Sequence, residues 1–202
     1  LNMVQINFLC VHKNFRSLGL APLLISEMKR IANTKDVWQA IYTAVTRIPT
    51  PLLKSTYWNR ILNNKKLLDI GFYKVNHFKK FKIAPVIDKM WVKNWILPAN
   101  SYINEHDDTF ISFYDISSER KDGTYTIKHA YSFYIVGDVY NDAFLIAKNL
   151  GYDMFTTLDT GVSVPSLEKM KFMRGNVNVH YYLFNWLPSS SISLEDVQLK
   201  LP

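Results

Sequence analysis

Apolar residues fill both parities of the stretch Gln5-Ile6-Asn7-Phe8-Leu9-Cys10-Val11-His12. Ile6, Phe8 and Cys10 fall on one side of an extended chain, and Asn7, Leu9 and Val11 on the other. That pattern predicts a strand over Val4–His12 buried on both faces. Leu20, Leu23, Leu24, Met28 and Ile31 then recur at helical spacing and predict a helix over Leu18–Ala32. Further strand signals fall near Trp38–Thr43, Phe110–Tyr114, His129–Val136, Met154–Thr157, Val179–Trp186 and Val197–Leu201. Further helix signals fall near Tyr57–Leu68, Val86–Trp95, Val139–Asn149 and Ser163–Met170. Strands alternating with helices indicate an α/β (α+β) layered fold.

Two segments share one punctuation. Asp69-Ile70-Gly71-Phe72 and Asn149-Leu150-Gly151-Tyr152 each place a glycine at a helix end before an aromatic that opens a strand. The pair suggests two related halves divided near Phe72–Pro85. Pro98 and Ala99-Asn100-Ser101 mark a turn, and Glu119–Gly123 reads as a polar hairpin connection. A strand ending beside a helix N-terminus can seat an anion, because the first helical N–H groups lack partners. At Arg16–Ala21 two readings stand: a phosphate seat, or an ordinary strand–loop–helix unit with Gly19 for packing.

The 202 residues, 48% of them hydrophobic, suit one globular domain or two small halves sharing a core. No apolar run approaches the ~20 residues of a membrane span, and residues 1–4 carry no signal-peptide pattern. The single cysteine, Cys10, allows no internal disulfide and fits a reducing, cytoplasmic setting. In mid-strand it reads as a small core residue. The net charge of +7 is densest over Lys74–Lys93, where Lys79, Lys80 and Lys82 alternate with Phe78, Phe81 and Ile83. This reads as a solvated face over a core, and no nucleic-acid motif accompanies it. The five histidines have no metal-ligand spacing, Glu105, Asp107 and Asp108 read as a solvated loop, and no Gly-x-Ser-x-Gly elbow is present.

The words Asn7-Phe8-Leu9-Cys10-Val11-His12-Lys13 resemble a signature of the glycylpeptide N-tetradecanoyltransferases (N-myristoyltransferases). A second signature is Lys171-Phe172-Met173-Arg174-Gly175-Asn176-Val177-Asn178-Val179-His180-Tyr181-Tyr182-Leu183-Phe184-Asn185-Trp186. Between them Trp38–Ala44, Tyr57–Asn63, Phe110–Tyr114 and Ala130–Tyr134 follow in family order. The resemblance implies an acyl-CoA N-acyltransferase-like mixed sheet flanked by helices, with the strand over Gln5–His12 central. It places residues 1–75 at the end of the acyl-CoA-binding half and residues 76–202 in a shortened peptide-binding half. It also implies an N-terminal truncation and internal deletions. The helices over Val139–Asn149 and Ser163–Met170 presume a sheet to pack on, so their apolar faces are expected to stay partly exposed.

The implied reaction is transfer of a myristoyl group from myristoyl-CoA, as co-substrate, to the N-terminal glycine amine of proteins. No permanently bound cofactor or metal is implied, nor a nucleic-acid partner. By resemblance, the backbone N–H groups of Phe8 and Leu9 form an oxyanion hole, and Asn7 and Thr43 position the amine. The carboxylate of Pro202 stands where the family keeps its base, with Leu199 and Leu201 inward and Lys200 outward. Arg16, Ser17, Leu18, Gly19, Leu20 and Ala21 match the CoA phosphate loop, with Leu18 and Gly19 where the family commonly has basic residues. Tyr42, Tyr57, Asn59, Ser118, Tyr131, Gly175, Asn176 and Leu201 match peptide-contact positions. Asn59 replaces a histidine, and Asn176-Val177 replaces Asp-Gly. The alternative function is a catalytically inactive remnant that binds a peptide or protein.

Overall fold

Period-two alternation decides which side chains meet across each strand of the computed structural model. It describes residues 1–62, 83, 90, 94, 100–104, 109–119, 123, 125–137 and 139–200. The chain divides into two units, Leu1–Lys54 with Val179–Ile192, and Ser55–Asn178 with Ser193–Pro202.

In the first unit β1 (Val4–Ile6) pairs in parallel with β2 (Ala40–Ala44), Val4 opposite Ala40 and Ile6 opposite Tyr42. Parallel neighbours need a crossover, supplied here by α1 (Leu20–Asn33). β2 pairs on its other side, antiparallel, with the final part of β8 (Met173–Phe184). The strand predicted over Val4–His12 is therefore three residues long, and β1 ends the strand order rather than lying centrally. Phe8 adopts φ 57°, which turns the chain out of the ladder. Phe8, Leu9 and Cys10 are exposed instead of buried on two faces. α1 has the predicted amphipathic stripe, but Leu23 is 63% exposed and Leu24, Ile25, Met28 and Ile31 are exposed with it. No helix among the described residues is long and apolar enough to cross a membrane.

The second unit holds the initial part of β8, then β3 (Leu53–Ile61), β7 (Met154–Leu158), β6 (Thr126–Val136), β5 (Thr109–Glu119) and β4 (Asn100–Asn104) as hydrogen-bonded neighbours in that order. β3 is the clearest departure from the sequence pattern, which predicts a helix from Tyr57. Tyr57, Trp58, Ile61 and Leu62 have helix-like spacing, but antiparallel pairing with β7 outweighs it. Asn100 and Ser101, read as a turn, open β4. The polar 119–123 stretch lies at the β5–β6 connection, as expected.

One face of this sheet carries Trp58, Phe113, Ala130 and Phe155. It packs against α2 (Tyr140–Asn149) through Tyr140, Ala143, Phe144 and Ala147, and against α3 (Val164–Lys169) through Leu167. Phe144 meets Phe155 and Phe172 edge-on at 5.4 and 5.6 Å. These residues of the two helices are thus buried in this core, while Leu145 of α2 and Val164 of α3 stay exposed, as do Leu23, Leu24, Ile25, Met28 and Ile31 of α1. α2 stops where Gly151, at φ 80°, lets its N–H reach the Lys148 carbonyl and the Tyr152 N–H reach Ala147.

Among the described residues, the carboxy-terminal segment makes one bridge, Val197 with Ile83, and 198–200 are not strand. Leu199 is buried as expected, but Lys200 is also buried, at 6% exposure, instead of facing outward. Its ammonium donates to the carbonyls of Leu158 at 3.0 Å and Thr160 at 2.9 Å, which compensates its lost water. The helix predicted near Val86–Trp95, the glycine turn at 69–72, the basic Lys74–Lys93 stretch, the Glu105–Asp108 cluster, the division at residues 75–76, Leu201 and Pro202 lie outside the described residues, apart from isolated positions.

Candidate active site

In the first unit the residues after β1 carry the predicted chemistry. The β1–β2 ladder ends at Ile6 opposite Tyr42, and Asn7 and Thr43 are the residues that follow each of these in the chain. Asn7 Oδ1 accepts a hydrogen bond from Gln5 Nε2 at 3.4 Å. Thr43 is half-buried and lies opposite Tyr181. Phe8 holds a left-handed backbone without being glycine, a conformer that costs on the order of 1 kcal/mol or more and needs support from its surroundings. It turns the peptide group that follows Phe8 away from the extended direction of β1. Phe8 is 68% and Leu9 52% exposed. Tyr42 stacks on Tyr182 at 5.1 Å, and the Tyr182 hydroxyl accepts from the Ile48 N–H at 2.7 Å.

The loop matched to CoA phosphate binding runs from a 3-10 turn, Lys13–Phe15, into α1. Arg16 Nε donates to the Val11 carbonyl at 3.2 Å and closes this loop. Ser17 and Gly19 both take positive φ, 65° and 71°, and Gly19 is the N-cap of α1. The first-turn donors of α1 come from Leu20 and Ala21, since Pro22 has no N–H. Leu18 projects outward, exposed.

In the second unit the sheet face opposite the helices gathers most of the residues that the sequence resemblance matched to peptide contact. Asn59, Thr156 and Tyr131 lie in one row across β3, β7 and β6, because Asn59 is opposite Thr156 and Thr156 opposite Tyr131. Tyr57, two residues before Asn59, meets the edge of the Tyr131 ring at 5.9 Å. Tyr114 stacks on Tyr131 at 5.7 Å. Ser118 shares the parity of Tyr114 on β5, lies opposite Ile127 and is exposed. Burial pushes the Tyr57 phenol up to about 12, with the neighbouring Tyr131 adding to it, and raises Tyr114 and Tyr131 as well. These hydroxyls are neutral donors at physiological pH.

Gly175 belongs to this cluster by close approach. A Cβ there would sit 2.7 Å from the Tyr57 carbonyl oxygen and 3.2 Å from Asn59 Nδ2. Gly175→Ala is therefore expected to push β3 and β8 apart locally, costing about 1–3 kcal/mol. Urea unfolding of the variant measures this, and an unchanged midpoint would show that the strands yield freely. Asn176 is exposed and is not brought into the cluster. Two residues on, Asn178 Oδ1 accepts from the hydroxyl of Thr56, which points to the face opposite Tyr57 and Asn59.

Sequence reasoning passed over His129 and Thr156. Thr156 Oγ1 donates to Asn59 Oδ1 at 2.8 Å, and His129 Nδ1 lies 3.4 Å from Thr156 Oγ1. The signal for His129 was its spacing of two from Tyr131, which puts both on one face of β6. Burial lowers the imidazole pKa below its usual 6.5, against opposing pulls from Asp153 and Asp115.

Comparison with known proteins identifies the family. Residues 1–55 match the family model for the Myristoyl-CoA:protein N-myristoyltransferase N-terminal domain, and residues 52–198 match that for its C-terminal domain. Glycylpeptide N-tetradecanoyltransferase 1 of Arabidopsis thaliana is 34% identical over 98% of this chain and 59% of its own length. Glycylpeptide N-tetradecanoyltransferase 2 of Bos taurus is 33% identical over 91% of the chain and 48% of its own. The chain thus spans about half the length of these curated relatives. The fold is similar to that of Saccharomyces cerevisiae N-myristoyltransferase solved with bound myristoyl-CoA, with a TM-score of 0.71 at 24% identity, covering 99% of this chain and 66% of that one. The chain belongs to the N-myristoyltransferase family.

Proposed function

We propose that this chain takes part in transfer of a myristoyl group from myristoyl-CoA to the N-terminal glycine amine of proteins. The observation that carries the reading is the left-handed Phe8 in Asn7-Phe8-Leu9, directly after the β1–β2 ladder ends at Ile6 and Tyr42. Attack on a thioester turns its carbonyl into an oxyanion, which needs donors already in place. The N–H groups of Phe8 and Leu9 fill that role. The glycine amine, with a pKa near ~8, must lose a proton before it attacks. Asn7 and Thr43 hold it. The CoA phosphates sit on the Arg16–Ala21 backbone, with less cationic charge than a loop having basic residues at Leu18 and Gly19. Tyr57, Asn59, Tyr131 and Gly175 face the peptide, with Ser118 further along the same face, and Tyr42, Asn176 and Leu201 complete the proposed contacts. The reading carries with it a cytoplasmic, reducing setting, supported by the single Cys10.

A second reading, an inactive peptide-binding remnant, draws support from the exposure of Phe8 and Leu9. Hydrogen bonds from donors standing in water are worth less than those in a closed site. Isothermal titration with myristoyl-CoA and with a glycine-starting peptide, followed by single-turnover acyl transfer, separates the two. The expected result is binding of both ligands and formation of the amide. Peptide binding without acyl-CoA binding or transfer would favour the remnant.

A further inference from the structure

We propose that His129 is a specificity-determining residue of the peptide-facing sheet surface, offering its Nε2 lone pair to a hydrogen-bond donor on a peptide side chain. The inference rests on the reading that this surface faces a peptide. The row of hydrogen bonds fixes the ring's tautomer. A threonine hydroxyl has one proton to give, and Thr156 spends it on Asn59 Oδ1 at 2.8 Å. Toward His129 its oxygen can then only accept, so Nδ1, 3.4 Å away, carries the hydrogen. In the neutral imidazole the other nitrogen is then an acceptor. Nε2 is shut off from solvent and has no hydrogen-bond partner among the described residues.

The surroundings favour a donor over an acceptor as occupant. The charges acting on the ring are the carboxylates of Asp153, from the turn before β7, and Asp115, from β5. On β6 itself, Lys128 is the neighbour in sequence, exposed and of the opposite parity. The three tyrosines of this face, Tyr57, Tyr114 and Tyr131, stay neutral well above pH 7. The Tyr131 ring lies 5.7 Å from the imidazole and is itself half-buried. A peptide side chain bearing a hydroxyl or ammonium group that reaches Nε2 satisfies this lone pair, so it gains over an apolar one of the same size.

The test is a double-mutant cycle on binding, read by titration rather than turnover. A set of glycine-starting peptides carries one serine at successive positions, each paired with the alanine version. The expected result is one position where serine binds the wild-type chain about fivefold tighter than alanine, the net worth of one hydrogen bond. His129→Phe should reduce that preference to within twofold. The serine preference should also fade as pH falls below 6.5, since protonated Nε2 cannot accept, and this fading should be absent in His129→Phe. Nitrogen-15 NMR of the imidazole supplies a readout independent of any peptide, with the Nδ1–H tautomer expected in the wild type and lost in Thr156→Val. An Nε2–H tautomer, or serine preference unchanged by His129→Phe, would overturn the role given to His129 while leaving peptide binding intact. Failure of every glycine-starting peptide to bind, with the Nδ1–H tautomer present, would instead overturn the peptide-facing reading and this proposal together.

Discussion

Asp159→Ala is expected to lower the unfolding free energy by about 3–6 kcal/mol, a large share of what a domain of this size holds. The Asp159 side chain is 5% exposed and accepts three hydrogen bonds. Oδ1 takes the Ser55 hydroxyl at 2.7 Å and the Thr56 N–H at 2.8 Å, and Oδ2 takes the Trp58 indole N–H at 3.2 Å. Ser55, Thr56 and Trp58 are buried too, so removing the carboxylate strands three donors away from water. Each buried orphan costs about 1–3 kcal/mol, and neighbours in one network do not add fully. Asp159→Asn separates the contributions. Its amide oxygen keeps the Ser55 and Thr56 bonds, but its NH₂ then faces the Trp58 N–H, donor against donor. The expected order of stability is wild type, then Asn, then Ala, measured by urea unfolding with Trp58 fluorescence among the probes. An alanine variant within about 1 kcal/mol of wild type would mean that the chain around 55–58 finds other acceptors.

Helices and paired strands were legible where one period dominates. α2 and α3 stand where the helical period placed them, and the β5–β6 connection falls at the polar 119–123 stretch. β3 was not legible, because Tyr57-Trp58 and Ile61-Leu62 mimic a helical stripe and pairing with β7 is a tertiary fact. The stretch after β1 was misread for a different reason. Alternation reports which residues share a face and not whether a partner covers it, so Phe8 and Leu9 read as core and are exposed. The gathering of Tyr57, Asn59, Tyr131 and Gly175 came from resemblance; spacing cannot bring residues 57, 131 and 175 together. His129 and Thr156 stayed hidden because their meaning lies in a hydrogen-bonded row across three strands. Only the register of those strands creates it.

Lys200 gives the most direct test of where the tail goes. Alternation beside Leu199 sent it outward, yet its ammonium is buried against the carbonyls of Leu158 and Thr160. Burial lowers its pKa from 10.5 to about 8, and the nearby Asp159 carboxylate limits the fall. Between those values the unfolded chain binds the proton and the folded chain has released it, so stability rises with pH in that window. The difference corresponds to about 3 kcal/mol across the whole interval. Buried tyrosines set the upper limit. Tyr57, Tyr114, Tyr134 and Tyr140 hold their protons above the ordinary phenol value of 10.0, mainly through burial. Their contribution is complete below that value and is lost as pH climbs through their folded pKa values. Unfolding free energy should therefore climb from about pH 8 toward pH 10, by roughly 2 kcal/mol, and then fall. Lys200→Met should lose the climb and keep the fall. Its stability at pH 7 is a poor guide, because the buried ammonium's cost disappears while two carbonyls lose a donor. The slope is the diagnostic, measured as urea unfolding free energy at closely spaced pH values. Equal slopes in the two proteins between pH 8 and 10 would put the Lys200 ammonium in water, as the alternation alone predicts.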